Sequence, residues 1–195
     1  MKNLVLTFFS IFLLSFVISG QSLNSGDKVP DFTAIDDQGD SWTLSDHLRN
    51  DYIIFYFYPA AFTGGCTKQA CSYRDEADSF EKINAMVVGI SGDEYENLTM
   101  FKKHHNLNFT LLSDPDGNIA KIFGVPFNEG STIEKEIDNQ TYQLNRGVTA
   151  SRWTFVVDSR NTLIYKNKNV DAANDSQSVY KFISTHQSRK SCVKR

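Results

Sequence analysis

Two of the three cysteines in this 195-residue sequence lie five positions apart, at Cys66 and Cys71. The stretch 58–75 is YPAAFTGGCTKQACSYRD, so two glycines come directly before the first cysteine. A thiolate, not a thiol, acts as a nucleophile or a metal ligand, and it is favoured at a helix N-terminus or beside a fixed cation. The pair could therefore be a structural disulfide, part of a metal site, or a nucleophile with its partner thiol.

The residues after Cys66 carry apolar side chains at three- and four-residue steps, which predicts an amphipathic helix over residues 66–83. Cys66 would open this helix, where unpaired backbone N–H groups and the positive end of the helix dipole surround its sulfur. Thr63 can add a hydrogen bond from the loop. Gly64 and Gly65 let a small polar ligand approach the backbone closely.

The helical spacing also bears on whether the two sulfurs can be bonded. Along a regular helix, Cys66 and Cys71 differ by a rise of about 7.5 Å and a rotation of about 140°. Their Cα atoms are then roughly 8.6 Å apart, which is farther than the roughly 7 Å that a disulfide can bridge. A bond would require the first helical turn to unwind. This geometry favours a nucleophile whose sulfenic acid condenses with a resolving thiol over a permanent cross-link.

Other interpretations of the cysteine pair stay open at this point. A structural disulfide suits an exported protein, although three cysteines are few for a disulfide scaffold. A zinc site is disfavoured because four intervening residues is not a usual zinc spacing and no second Cys/His pair is well placed. A redox C-x-x-C motif would have two intervening residues. Cys192, in the basic C-terminal segment SRKSCVKR, is predicted to be a dispensable residue of a short mobile tail.

The N-terminus has the layout of a secretory signal peptide, because Lys2 precedes an apolar run over residues 4–18 and small residues follow. The run is shorter than the roughly 20 residues that span a bilayer, and an uncleaved anchor is the alternative. We expect residues 1–20 to be a signal peptide and residues 21–195 to form one domain. We expect the protein to be exported, either to a periplasm or outside the cell.

The formal net charge is −3, and basic residues cluster only in the short C-terminal tail. Nucleic-acid binding needs a basic patch or stripe that neutralises phosphates. The sequence therefore predicts no nucleic-acid partner, and it predicts membrane contact only through the signal segment.

The order of apolar and amphipathic segments predicts the fold class. The uninterrupted runs YIIFYFYP and AMVVGISGD are typical of strands buried on both faces of a parallel or mixed sheet. A helical pattern follows each run, at residues 66–83 and 94–107. The segments RWTFVVD and TLIYKNKN predict a hairpin before a terminal helix over residues 176–187, and residues 126–150 could hold another hairpin. We expect an α/β, thioredoxin-like sandwich with a mixed central sheet and helices on both faces.

The cysteine stretch resembles the active-site motif of the peroxiredoxins. The pattern YP-x3-T-x2-C occurs at residues 58–66. The segment TGGCTKQACSYRD resembles the peroxiredoxin Q branch, also called bacterioferritin comigratory protein, in which the second cysteine lies five residues after the first. The segments VPDFTAIDDQG, VVGISGD, FTLLSDPDGNIAKIFGV and SRWTFVVD also resemble family segments, so the likeness extends over most of residues 26–165.

The resemblance implies a role for each matching residue. Cys66 corresponds to the peroxidatic cysteine and Cys71 to the resolving cysteine. Thr63 corresponds to the threonine that hydrogen-bonds the peroxide, Pro59 to the proline that shields the thiolate, and Arg152 to the arginine that steadies the thiolate and polarises the peroxide. Without the resemblance, Thr63 could be a helix N-cap, Pro59 a strand end and Arg152 an ordinary edge-strand charge.

The resemblance also implies an activity and partners. The family reduces hydrogen peroxide or alkyl hydroperoxides and is recycled by thioredoxin or a similar dithiol protein. We therefore expect a thiol-dependent peroxidase with a Cys66–Cys71 disulfide in its cycle, no cofactor, no metal, and a monomer or weak homodimer. Two alternatives from other classes are an exported thioredoxin-like disulfide oxidoreductase and a non-catalytic domain with a structural disulfide.

Three positions depart from the usual family pattern. Gly64 stands where this branch usually has proline, and Trp153 follows the arginine where a small residue is commoner. The segment 127–148 has more residues than is usual for the family. These departures bear on the rate, the preferred peroxide and the docking of the reductant rather than on the chemistry.

Some residues near the motif are interpreted from their types alone. Gln69 and Arg74 are interpreted as solvated positions of the predicted helix. Tyr56 and Tyr58 belong to the apolar run before the motif, and we expect both in the core.

Overall fold

The structure, a computed structural model, describes residues 22–193, with the side chains of residues 22–189. The predicted signal peptide, residues 1–20, lies outside the described residues, and so does the side chain of Cys192. Within the described part of the chain, every helix is too short or too polar to cross a bilayer.

The described chain alternates strands and helices. The strands are β1 (Thr33–Asp36), β2 (Ser41–Thr43), β3 (Tyr52–Phe57), β4 (Ala85–Ser91), β5 (Thr110–Ser113), β6 (Phe127–Glu129), β7 (Ile133–Ile137), β8 (Gln140–Leu144), β9 (Val148–Ala150), β10 (Trp153–Asp158) and β11 (Leu163–Asn167). The helices are α1 (Gly64–Asp75), α2 (Ala77–Glu81), α3 (Tyr95–His105), α4 (Asn118–Phe123) and α5 (Asp175–Val193), and a 3-10 turn occupies Leu44–His47.

A mixed sheet of seven strands in the order β11-β10-β3-β4-β5-β1-β2 forms the centre. Strands β3, β4 and β5 run parallel, and the flanking strands pair antiparallel. Two further antiparallel pairs, β6–β9 and β7–β8, lie outside this sheet. Because β3 pairs with β10 on one side and β4 on the other, the loop and helix that follow it start from an inner strand of the sheet.

Both faces of the sheet are covered, as β3 illustrates, since all six of its residues are buried. On one face, Tyr56 and its strand neighbours pack against apolar residues of α1, α3 and α5. On the other face, Phe55 and Phe57 pack against α4 and against N-terminal residues such as Phe32 and Trp42. The predicted α/β class, with a mixed sheet and helices on both faces, is confirmed.

The structure corrects several predicted boundaries. The helix predicted over residues 66–83 is two helices, because the chain turns at Glu76 between α1 and α2. The acidic residues there suit a helix N-terminus better than a helix C-terminus, and Asp78 lies in the first turn of α2. The terminal helix extends past residue 187 to Val193. The hairpin considered within residues 126–150 is present as β7–β8.

Candidate active site

The first turn of α1 presents Cys66 to the end of the sheet. The helix begins at Gly64, with Thr63 as the N-cap residue in an extended conformation and Thr67 N–H donating to the Thr63 carbonyl at 2.8 Å. Cys66 is thus the third helical residue rather than the first. The N–H groups of the residues up to Cys66 have no acceptor within the helix, so this end of α1 favours a negative charge.

Arg152 supplies a cation beside the sulfur. It lies between β9 and β10, and its Nη2 donates to Cys66 Sγ at 3.1 Å. The guanidinium passes close to Gly65, since a Cβ there would lie 3.4 Å from Arg152 Nη2. Cys66 itself is 1% exposed. The Cys66 sulfur is therefore buried and accepts a hydrogen bond from a guanidinium.

Thr63 and Pro59 lie on the loop between β3 and α1. Thr63 is exposed, and its hydroxyl donates to the Ala60 carbonyl at 2.9 Å instead of capping the helix. Pro59 is half-buried and follows the fully buried Tyr58. The structure therefore brings both residues to the loop that leads into the Cys66 turn.

A buried carboxylate that the sequence analysis missed holds this loop. Asp93 Oδ2 accepts the Ala61 N–H at 2.9 Å and the Ser91 hydroxyl at 2.8 Å. Its Oδ1 accepts Arg146 Nε at 2.9 Å, and both side chains of this ion pair are buried. Arg146 lies in the segment that is longer than usual for the resembled family. The extra segment is thus tied to the loop before Cys66.

The loop also contains an uncommon backbone conformation. Phe62 has a φ of 60°, in the left-handed region that bulky residues rarely occupy. Its ring packs against Phe101 at 5.2 Å and His105 at 5.9 Å between ring centroids. Burial, His104 and Arg74 lower the pKa of His105, so this packing is made to a neutral ring at neutral pH. Strain of this kind persists where the surroundings determine the backbone.

Gln69 is a second residue that the sequence analysis misplaced. It is fully buried rather than solvated. Its Oε1 accepts from Arg152 Nη1, and its Nε2 donates to Asp175 Oδ2 at 2.8 Å. Gln69 is three residues after Cys66 and four before the buried Tyr73, so the helical period would have placed it on the inner face.

Asp175, at the start of α5, completes this network. Its Oδ2 also accepts from the Tyr73 hydroxyl and the Thr154 hydroxyl, each at 2.7 Å. Burial raises the pKa of Asp175, while these hydrogen bonds and Arg152 act in the opposite direction. Hydrogen bonds therefore connect α5 to the Cys66 sulfur through the glutamine and the arginine.

Arg74 contacts neighbours instead of lying free in solvent. Its Nη1 donates to the His105 carbonyl at 2.6 Å, and its Nε donates to Asp75 at 2.8 Å. The hydrogen bond to Asp75 raises the pKa of Arg74, and the Cys71 thiol contributes in the same direction. Arg74 thus joins the end of α1 that carries Cys71 to the end of α3.

The two cysteines are separate in the structure. Both belong to α1, and both are free thiols, Cys66 buried and Cys71 half-buried. Cys71 thus cannot reach Cys66 while the helix between them stays regular. Within the described residues, no group of three or more His, Cys, Asp or Glu side chains is arranged to hold a metal ion.

Comparisons with known proteins identify the family of this chain. The AhpC/TSA family model matches residues 25–166. A Mycobacterium tuberculosis protein that carries the peroxiredoxin name is 42% identical over 150 residues, which cover 77% of this chain and 88% of that one. Peroxiredoxin Bcp of Bacillus subtilis is 34% identical over 143 residues, which cover 73% of this chain and 83% of that protein.

Solved structures show the same fold. The crystal structure of peroxidoxin BcpB from Mycobacterium tuberculosis matches with a TM-score of 0.69 and 29% identity, over 83% of this chain and 96% of that one. A Xylella fastidiosa PrxQ variant matches with a TM-score of 0.71 and 24% identity, over 86% of this chain and 99% of that one. The chain belongs to the AhpC/TSA family, with relatives named peroxiredoxin Q and Bcp, and is a thiol-dependent peroxidase.

Proposed function

We propose that Cys66 is the sulfur that reduces the peroxide. The Cys66 thiolate attacks one oxygen of the peroxide O–O bond, the bond breaks, and the other oxygen leaves as hydroxide or alkoxide and takes up a proton. Cys66 becomes a sulfenic acid, and the product is water or an alcohol. The observation that carries this proposal is the Arg152 Nη2 group 3.1 Å from a sulfur in the first turn of α1.

The groups around Cys66 would hold the peroxide in line with the sulfur. The Thr63 hydroxyl donates its hydrogen bond to the Ala60 carbonyl. The lone pairs of the Thr63 oxygen then remain to accept a hydrogen bond from the peroxide. Arg152 and the helix N–H groups stabilise the charge that develops on the leaving oxygen. Pro59 shields the thiolate from solvent on the loop side.

We further propose that Cys71 resolves the sulfenic acid. After the first turn of α1 unwinds, the Cys71 thiolate attacks the Cys66 sulfur, forms the disulfide and displaces hydroxide, which leaves as water. A thioredoxin-like dithiol protein then reduces the disulfide by thiol–disulfide exchange. Two exposed glycines at the start of α1 support this step, because glycine weakens a helix by about 1 kcal/mol relative to alanine.

We also propose that residues 1–20 direct export, so that the enzyme works in a periplasm or outside the cell, as a monomer or weak homodimer, with its reductant in that compartment. The proposal rests on the apolar run after Lys2. Cell fractionation and N-terminal sequencing of the native protein test it. The expected mature chain begins at Gln21 in an extracytoplasmic fraction, and a chain that keeps residues 1–20 in the cytoplasm contradicts it.

Peroxide consumption with a protein dithiol as reductant tests the catalytic proposal. Cys66→Ser is expected to abolish consumption. Cys71→Ser is expected to consume one equivalent of peroxide and then to stop turning over with the protein dithiol. Cys192→Ser is the matched control and should turn over like the wild type. Consumption that survives in Cys66→Ser rules the proposal out.

A further inference from the structure

We propose that Asp175 is a positioning residue for the peroxide reaction. Acting through Gln69, it fixes the Arg152 guanidinium over the Cys66 sulfur. This inference rests on the proposed roles of Cys66 and Arg152, and it adds a residue that lies outside the sequence motif, on the last helix of the fold.

The contacts form a continuous path of hydrogen bonds. Asp175 Oδ2 accepts Gln69 Nε2 at 2.8 Å. The opposite end of the same amide, Oε1, accepts Arg152 Nη1, and Arg152 Nη2 donates to Cys66 Sγ at 3.1 Å. Asp175 and Gln69 are 2% and 0% exposed, so water does not compete for these groups.

Asp175 and Arg152 together fix the orientation of the Gln69 amide between them. An amide side chain can present either its oxygen or its NH2 group, whereas a guanidinium only donates and an ionised carboxylate only accepts. With Asp175 on one side, the NH2 group must point to the carboxylate and the oxygen must point to Arg152. Without the carboxylate, the NH2 group loses its acceptor, and the amide no longer ties the Arg152 guanidinium to α5.

The other donors to Asp175 hold the carboxylate in place. The Tyr73 hydroxyl belongs to α1, and the Thr154 hydroxyl belongs to β10, two residues after Arg152. The carboxylate thus joins the helix that carries Cys66, the strand next to Arg152 and the start of α5. The position of the carboxylate is set by three elements, and the amide transmits that position to the guanidinium.

Asp175 keeps a feature that costs stability. Its second oxygen, Oδ1, is buried and has no hydrogen-bond partner within the described residues. An unpaired buried acceptor is unfavourable for folding, and unfavourable local features are expected at functional sites. A group needed only to hold α5 against α1 could accept the same hydrogen bonds with a neutral amide oxygen and would not need an ionisable side chain.

Rapid-quench measurement of the second-order rate constant of the reduced full chain with hydrogen peroxide tests the inference. Asp175→Ala and Gln69→Leu are each expected to lower this constant by about tenfold or more, because small misplacements of a positioned group are costly. In an Arg152→Ala background, Asp175→Ala is expected to lower it no further, because the guanidinium that it positions is gone. Loss of fold alone would not show this dependence on Arg152.

Asp158→Ala is the matched control. Asp158 is equally buried on the same strand as Thr154, at the end that pairs with the start of β3, and its removal should leave the rate constant close to that of the wild type. If Asp175→Ala does not fold, Asp175→Asn replaces it. This variant keeps one acceptor oxygen but can present its NH2 group to Gln69, so a smaller loss is expected, again only when Arg152 is present.

The outcomes separate this inference from the proposed function. A wild-type rate constant in the Asp175 variant that folds, or the same fractional loss with and without Arg152, overturns the positioning role while Cys66 chemistry stands. A peroxide reaction that does not depend on Cys66 overturns the proposed function and the inference together.

Discussion

The two ends of α1 are held by different forces. At the first turn, Gly64 and Gly65 are exposed, and a Cβ added at Gly64 would meet no atom within 4 Å. Cys66 is held there by the hydrogen bond from Arg152. Further along, the Tyr73 ring is fully buried and stacks on Tyr56 at 4.9 Å between centroids.

This difference indicates which end of α1 unwinds first. The contact at the first turn is polar and involves the sulfur itself, so oxidation of Cys66 changes it directly. The packing of Tyr73 involves no reacting atom and is the same before and after oxidation. Unwinding that brings Cys66 to Cys71 should therefore start at the glycine end, while Tyr73 keeps the far end of α1 anchored.

Loss of the aromatic anchor is expected to have the largest effect. Tyr73→Ala removes a fully buried ring and should lower the free energy of unfolding by about 3–5 kcal/mol, because a large cavity forms in the core. Urea denaturation of the reduced protein measures it. Tyr142→Ala, at a half-buried tyrosine of the β7–β8 hairpin, is the control and should cost far less. Equal losses of unfolding free energy in the two variants would mean that the packing of Tyr73 stabilises the protein no more than that of a half-buried tyrosine.

The hydrogen bond from Arg152 to Cys66, at the first turn of α1, is expected to affect the rate of the peroxide reaction more than the stability of the protein. Arg152→Met removes the donor to Cys66 and should lower the second-order rate constant with peroxide by about 10²–10³-fold, as for the loss of a transition-state donor. Arg152→Lys should lose less, because it keeps the charge but cannot fork between the sulfur and Gln69. Rapid-quench assays measure both.

Arg160→Met is the matched control for this prediction. Its side chain is 71% exposed near the far end of β10, and the peroxide rate constant should not change. Arg152→Met protein that reacts as fast as the Arg160→Met control would contradict the assignment of Arg152.

Stiffening the glycine end should separate the two chemical steps. Gly64 is the first helical residue, where proline is favoured, and Thr63 has a φ of −96° and ψ of 148°, which suits a residue before proline. Gly64→Pro should raise the free energy of unfolding by about 0.4–1 kcal/mol. It should slow disulfide closure several-fold while the peroxide step stays close to wild type.

Stopped-flow fluorescence of the two successive phases measures this change. Gly64→Ala fits the open space and serves as the control with a smaller effect on closure. Closure that is as fast in Gly64→Pro as in Gly64→Ala would place the unwinding elsewhere in α1.

The smallest expected effect is the pH dependence of stability that Asp175 contributes. Because burial raises its pKa in the folded protein, folding favours the protonated form. The free energy of unfolding should therefore fall as the pH rises from about 4, the ordinary pKa of a free carboxyl group, to the raised pKa of Asp175. Above that pH it should stay at the lower value. Asp175→Asn removes this loss, so the stability difference between variant and wild type should grow with pH. Urea denaturation at a series of pH values measures this difference, and a constant difference contradicts the shift.

The residue pattern was enough to predict the local parts of the molecule. The apolar runs of β3 and β4 and the helical spacing after Cys66 are properties of contiguous sequence, and they gave the fold class and the separation of the two thiols. The break at Glu76 was missed, because apolar periodicity continues across it to Phe80 and hides the acidic run that favours a new helix start.

The parts that could not be predicted depend on contacts between distant segments. Gln69 and Asp175 are 106 positions apart in sequence and meet through one hydrogen bond. Asp93 and Arg146 are 53 positions apart and form a buried ion pair. No period or spacing in the chain indicates which polar residues will meet, so these supports of the site became visible only when the fold brought them together.

The central claim is that Cys66 reacts with peroxide and then closes onto Cys71. Reduced protein should be mixed with one equivalent of hydrogen peroxide, blocked with an alkylating reagent, and mapped by mass spectrometry of peptides without reduction. The account predicts a disulfide between Cys66 and Cys71, with Cys192 alkylated. An alkylated Cys66 after the peroxide has been consumed, or oxidation confined to the other cysteines, would contradict it.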